Sequence, residues 1–349
     1  MNRWLLAAVA VAVTAFPGCA GESRGPDGLP PEPAAGSPAD PYAALVDALH
    51  SGQPPLESLA METYLDTGAA IPGSAHPPPL ADVQPLADTA DPRVRVMAVA
   101  LLGSTRRPDL LPLLRRKLTD VDPSVRLAAA YGLAMAGDTS EATALRDGLG
   151  SPDVTARRTA AWLLGLMGNP TAVGLLKVKL DDPDAVVVLR AAEAMGRLGS
   201  QGGLEQVRVL TEHERHQVRF YATRLLGRLG TTADVPRLDK LCQSQFLDVK
   251  FAAIAAAARQ GDLVRIGLLL EMLGAPDEPT RVLAARELGE TAYTPAIPRL
   301  EKRLAVGDPM ERTTAASSIV RIRAAPSWRA KILADKPPPA PAPPPAPKP

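Results

Sequence analysis

Few residues of this 349-residue sequence could carry metal or catalytic chemistry. Two of its four histidines, His213 and His216, lie in one segment with Glu214. Such residues can bind a transition metal, but the sequence offers no credible third ligand beside them. No serine or cysteine nucleophile has a recognisable base, and no glycine-rich phosphate loop follows a predicted strand. We therefore predict no metal, no cofactor and no enzyme activity.

Cys19 is the one residue with a predicted modification. A basic N-terminus and an apolar run of 13 residues precede it, and this run is shorter than the roughly 20 residues that cross a bilayer. Residues 17–20, Pro-Gly-Cys-Ala, resemble the lipobox of a bacterial lipoprotein, in which the cysteine is acylated, although Phe16 stands where that motif usually has leucine. Ordinary signal-peptide cleavage after Ala20 is the alternative. Both interpretations predict export, and acylation would anchor the protein to an envelope membrane, at the outer membrane or the periplasmic face.

Arginine is the chemically active residue that recurs, with a period of 31 residues from Arg95 onwards. Seven of the eight positions in this column are basic, and Val188 is the exception. Alanine stands three residues after every one of them, from Ala98 to Ala315, and aspartate stands four residues before six of them. A fixed period without insertions over this length indicates a repeat array.

The columns predict two helices in each repeat. Asp91-Pro92 has the residue types of an N-cap followed by the first helical position. Apolar residues three and seven positions after the arginine give this helix, helix B, one buried face. A second amphipathic helix, helix A, leads to the next aspartate. Neither helix can bury its apolar face alone, so the repeats must stack.

The pattern Asp-Pro-x-Val-Arg-x-x-Ala-x-x-x-Leu-Gly, visible at 91–95 and 218–227, resembles the HEAT repeat in the short form of the phycocyanin lyase group. The resemblance covers about residues 78–334. It implies an all-α fold, an α-solenoid forming a right-handed superhelix of about eight 31-residue helical pairs. It also implies that the arginine and aspartate columns form a ladder between successive repeats, and that helix B lines the concave side.

Composition divides the chain into five predicted segments. Two helices, at 41–50 and 54–66, are expected to cap the start of the array, and a short helix at 327–334 to cap its end. The C-terminal segment is almost entirely proline and alanine, which favours a polyproline II spacer or, alternatively, a ligand for a proline-binding partner. The segments are a signal peptide at 1–18, a Pro/Gly-rich tether at 19–41, N-terminal capping helices at 42–77, the solenoid at 78–335 and the tail at 336–349.

Positions two, five and nine after the arginine column share one face of helix B, and we call this face the inner stripe. It carries aromatic residues and arginines, which dominate many protein interfaces. We predict that it binds a protein partner with acidic groups; a solvated polar face is the alternative. The predicted binding residues are Tyr131, Trp162, Arg190, Arg197, Tyr221, Arg224, Arg228, Arg259 and Arg286.

These features together predict a protein-binding scaffold anchored in the bacterial envelope by its lipid. The 39 basic residues nearly balance the 38 acidic ones, so the whole molecule has no field that would attract nucleic acid. An alternative function, lyase-like or chaperone-like activity on a chromoprotein, is implied by the resemblance to the phycocyanin lyase group.

Overall fold

The structure, a computed structural model, describes residues 40–68, 74–138, 141, 143–260, 262 and 265–334. Every regular element in these residues is a helix. The predicted signal peptide, the acylated Cys19, nearly all of the tether and the Pro-rich tail lie outside the described residues. In the described part of the chain, no helix combines the length and hydropathy needed to cross a bilayer.

The helices alternate between two rows. The first row holds α1 Pro41–Leu49, α3 Leu80–Val83, α5 Leu111–Lys117, α7 Ala144–Leu149, α9 Val173–Val178, α11 Leu204–Leu210, α13 Val235–Leu241, α15 Ile266–Met272 and α17 Ile297–Val306. The second row holds α2 Pro54–Asp66, α4 Pro92–Ser104, α6 Pro123–Met135, α8 Val154–Met167, α10 Ala185–Arg197, α12 His216–Leu229, α14 Leu247–Arg259, α16 Glu278–Thr291 and α18 Pro309–Ala334. Short 3₁₀ turns precede or follow several first-row helices.

The aspartate column starts the second-row helices, as predicted. Asp91, Asp122, Asp153 and Asp184 each accept a hydrogen bond from the backbone N–H two residues ahead. This bond satisfies an amide that the first turn of a helix leaves without a partner. Where the column changes, at the starts of α12 and α14, no side chain caps the helix.

The alanine column lies in the buried core of the array. All eight of its members, from Ala98 to Ala315, are completely buried. Neighbouring second-row helices approach closely between α4 and α6, where a Cβ built on Gly103 would overlap the Cα of Gly132. The two glycines let these helices pack backbone against backbone.

The two ends of the array contact each other. Helix α18 packs against α1 and α2 as well as against α16 and α17. At this seam the hydroxyls of Thr63 and Ser317 are 2.7 Å apart, and Arg321 Nη1 donates to Asp66 Oδ2 at 2.7 Å. Within the described residues, nine helical pairs therefore form a closed ring with the second row inside.

Closure changes the role of the predicted end caps. The all-α solenoid is confirmed, and helices are present at 41–49 and 54–66, but these two helices form the ninth pair of the ring. The short cap expected at 327–334 is the end of the 26-residue helix α18. The array expected to form a superhelix instead closes into a ring whose second-row helices line the inner wall.

Candidate interaction site at the ring centre

The arginine column has a structural role. Arg95 donates from Nη1 to the carbonyls of Thr89 and Ala90, both at 2.9 Å, and from Nε and Nη2 to Asp120 at 3.1 and 3.0 Å. Arg157 repeats this arrangement with Asp182 in the following repeat. In these two repeats the expected ladder therefore uses a different aspartate, two residues before the N-cap residue whose carboxylate caps the helix. Arg281 instead pairs with Glu311 of α18 at 2.9 Å.

The inner stripe of α10 to α18, Glu287 of α16 and two carboxylates of α2 form a single network of ion pairs, which we call the inner charge cluster. All six arginines predicted to bind a partner belong to it, and each is linked to the others through carboxylates within 4.0 Å. Its members are Glu62, Asp66, Glu193, Glu287, Glu290, Arg190, Arg197, Arg224, Arg228, Arg259, Arg286 and Arg321.

Asp66 joins helices on opposite sides of the ring. Its carboxylate forms ion pairs with Arg197 of α10, at an N···O distance of 2.5 Å, and with Arg321 of α18, at 2.7 Å. Burial by itself would raise the pKa of the Asp66 carboxyl, but the two guanidinium groups outweigh burial and hold the pKa below its usual range. Three second-row helices separate α2 from α10 along the shorter arc, so this contact crosses the ring centre.

Glu193 is the second acidic centre. It accepts from Arg190 at 2.9 Å, from Arg228 at 3.0 Å and from the hydroxyl of Tyr221 at 2.5 Å. Burial opposes ionisation of Glu193, yet the charges of Arg190, Arg197 and Arg228 lower its pKa to about 2. Arg190 also lies over the Tyr221 ring, 5.1 Å from its centroid. The predicted binding residues Tyr221 and Arg190 are therefore each engaged within the ring.

Glu290 is the third acidic centre and binds the most arginines. Arg228 donates to both of its oxygens at 2.9 Å, and Arg224 donates at 2.6 Å. Arg259 donates to the Glu290 backbone carbonyl and lies 3.7 Å from its carboxylate. The pKa of Glu290 lies well below its usual value because Arg228 and Arg224 overcome the effect of burial.

Arg286 is the least compensated base of the inner charge cluster. Its Nε donates to Glu287 at 3.2 Å, and Arg224 Nε lies 3.5 Å from the same carboxylate. Both guanidinium groups lie over the ring of Phe220, 5.0 Å from its centroid for Arg286 and 5.8 Å for Arg224. Burial lowers the pKa of Arg286, and the nearby Arg224 lowers it further.

The sequence matches the family model described as HEAT repeats in three overlapping segments, 81–155, 142–208 and 175–258. Together they span residues 81–258, just over half of the chain. The chain belongs to the HEAT-repeat family. No curated protein matches it.

Several solved structures resemble this HEAT-repeat protein at low identity. The complex of CpcE and CpcF of phycocyanin lyase from Nostoc sp. PCC7120 has 21% identity and a TM-score of 0.32, covering 71% of this chain and 97% of that one. Escherichia coli YibA has 16% identity and a TM-score of 0.39, covering 68% and 91%. Human deoxyhypusine hydroxylase in complex with glycerol has 17% identity and a TM-score of 0.31, covering 76% and 98%.

The aromatic part of the stripe lies on the other side of the HEAT-repeat ring. Tyr131 is buried, and its hydroxyl is 2.7 Å from Ser104 Oγ. Trp162 is half-buried and packs against the core. The predicted binding residue Tyr131 is therefore not accessible to a partner, because its ring is in the core.

The carboxylates of the inner charge cluster were not predicted as partners of the arginines. Glu193 lies three residues after Arg190 and four before Arg197, a spacing that permits ion pairs on one helix face. Asp66 and Glu62 belong to a helix expected to be a cap, and no repeat pattern connects that helix to Arg321. Their pairing depends on ring closure, which local spacing does not encode.

The remaining candidate residues are accounted for by packing. His213 Nδ1 accepts from the backbone N–H of Arg215 at 3.1 Å, and His216 stacks on Phe246 at 4.7 Å. Among the described residues, no three His, Cys, Asp or Glu side chains are grouped as a metal site requires. Cys242 is a buried free thiol.

Proposed function

We propose that this HEAT-repeat ring is a scaffold of the bacterial envelope, anchored to a membrane through a lipid on Cys19, that binds an acidic protein partner at the inner charge cluster. One observation carries the binding proposal. The cluster holds seven guanidinium groups against five carboxylates, and between 13% and 38% of each arginine side chain remains exposed. Two positive charges are therefore left for an acidic group that enters from the ring face.

The energetic cost of the cluster supports this proposal. Removing ion pairs from water is expensive, and well-packed apolar residues often stabilise a protein equally well or better. The same stripe on α4 and α6 shows such an apolar solution, with Ala100, Ala128 and Tyr131 buried. A cluster of arginines is thus not needed to fill the ring, and an acidic partner gives it a role.

The anchoring proposal rests on the lipobox-like sequence around Cys19. About 20 residues rich in Gly, Pro, Ser and Ala separate this cysteine from α1. Even fully extended, about 20 residues span at most about 70 Å, so a lipid on Cys19 would hold the ring near the membrane surface. We expect Cys19→Ser to abolish incorporation of a labelled fatty acid and to move the protein into the soluble fraction. Unchanged fractionation would contradict anchoring without affecting the binding proposal.

The binding proposal is tested by chemical cross-linking and affinity purification from native membranes. Arg190 is the most exposed arginine of the cluster, so Arg190→Glu should repel an acidic partner. Arg146→Glu is the matched control, because Arg146 lies on the outer helix α7 with one carboxylate partner. We expect one cross-linked protein to be lost only in Arg190→Glu, with both variants folded by circular dichroism. Identical cross-linking in both variants would contradict the proposed site.

A further inference from the structure

We propose that Arg224 and Arg286, together with the ring of Phe220, form a site for a phosphate group on the inner wall of the ring. The inference deepens the proposed function, since it names the chemistry of the acidic group that the cluster would bind. It is tested on the purified protein alone, so its failure and the failure of partner binding are separate results.

Repeat geometry brings the two arginines together. Arg224, Ala255 and Arg286 stand at the same position of three successive repeats, each five residues after the basic column. The middle helix, α14, has only the buried methyl group of Ala255 at this level. The longer side chains on either side therefore meet over it, and both reach Glu287 and the Phe220 ring.

The two arginines lack acceptors for several of their N–H groups. Glu287 is fully buried and is the one carboxylate that both arginines share. Arg224 has a second acceptor in Glu290, but Arg286 donates to Glu287 from Nε alone, so both of its Nη nitrogens have no acceptor among the described residues. Within the same residues, the buried Nε of Arg224 also has no hydrogen-bond partner. The lowered pKa of Arg286 agrees with a cation that lacks a full counter-charge.

A phosphate group fits these donors better than a single carboxylate does. Guanidinium groups bind phosphate oxygens through paired N–H···O bonds, and a phosphate has enough oxygens for two arginines at once. Near neutral pH it carries between one and two negative charges, close to the two that the inner charge cluster lacks. Both guanidinium groups already lie over the ring of Phe220, so little side-chain freedom is lost when the anion binds.

Binding is measured by isothermal titration calorimetry on the full purified chain, with inorganic phosphate as one probe and O-phosphoserine as the other. We expect saturable binding of at least one probe, weakened about tenfold or more in Arg286→Gln, because a charge-assisted hydrogen-bonding group is lost. Arg286→Lys keeps the charge but not the paired donors, and should bind with intermediate affinity. Arg107→Gln, at an exposed pair outside the ring, should bind as the wild type does.

The two probes distinguish the source of the phosphate. Binding of inorganic phosphate identifies a site for the free ion, whereas binding of O-phosphoserine alone identifies a phosphorylated side chain as the ligand. Circular dichroism melting of each variant checks that the ring is folded. The proposal is overturned if neither probe binds the wild type saturably, if folded Arg286→Gln binds with unchanged affinity, or if Arg107→Gln weakens binding equally.

Discussion

Asp66 binds arginines on both sides of the ring, and its replacement by asparagine is the sharpest test of the closed structure. Asn has the same shape but no charge, so Asp66→Asn leaves Arg197 and Arg321 without the carboxylate that both bind. Breaking a buried ion pair by removing one partner costs about 3–5 kcal/mol. Arg197 retains Glu193 at 3.8 Å, Arg321 retains Glu62 at 3.6 Å, and both arginines are partly solvated. We therefore expect a loss of about 2–3 kcal/mol in the free energy of unfolding.

The loss is measured by urea unfolding followed by far-UV circular dichroism at neutral pH. Asp47→Asn is the control, because Asp47 lies at the same seam but is 73% exposed and 3.7 Å from Arg312. That exposed pair should contribute less than about 0.5 kcal/mol. Equal stability of the two variants would refute the closed ring, since in an open solenoid Asp66 would have neither partner.

The pH dependence of the Asp66 contribution gives a second criterion. Because the folded protein lowers the pKa of this carboxyl, the stabilisation is complete above the unfolded pKa, near 4. It is lost as the pH falls further, towards the folded pKa. The stability difference between wild type and Asp66→Asn should therefore be constant above about pH 5 and shrink at lower pH. A difference that persists unchanged in acid would show that Asn perturbs packing and not charge.

Three further predictions concern single positions. Ala292 has a left-handed backbone, with φ 55°, so Ala292→Gly should raise stability by about 0.5 kcal/mol in urea unfolding; a decrease would contradict the strain. Gly103→Ala should cost about 1–3 kcal/mol in the same assay, since its Cβ meets the backbone of Gly132, and a neutral result would mean that α4 and α6 are further apart. Cys242 is buried, and burial raises the pKa of its thiol, so thiol reagents should modify it only after urea is added; rapid labelling of the native protein would show that it is accessible.

The sequence predicted those parts of the fold that short segments determine. The N-caps at Asp91 and Asp122, the buried alanine column and the two helices of each repeat depend on contacts within one or two repeats. The residue types that make these contacts recur every 31 residues, so the repeat pattern of the sequence predicts them. The inner stripe was found for the same reason, because residues two, five and nine positions after the column must share a face.

Closure and the pairing of the arginines could not be predicted in this way. Thr63 and Ser317 are 254 residues apart, and their contact depends on the curvature added by every repeat between them. A small error in the angle of each repeat would leave the ends far from each other. The arginines of the inner stripe were therefore interpreted only as partner-binding residues, whereas Arg197 and Arg321 pair with the distant carboxylate of Asp66.

A ring restricts how this chain can change during evolution. An open array can gain or lose a repeat at little cost, because each unit contacts only its neighbours. Here Asp66, Arg197 and Arg321 meet from three separate helices, so an added pair would widen the circle and draw α10 away from α2 and α18. Duplication or deletion of one repeat would thus break the contacts that cross the ring centre in a single step. The number of repeats is fixed by closure, while the turns on the outer rim remain open to variation.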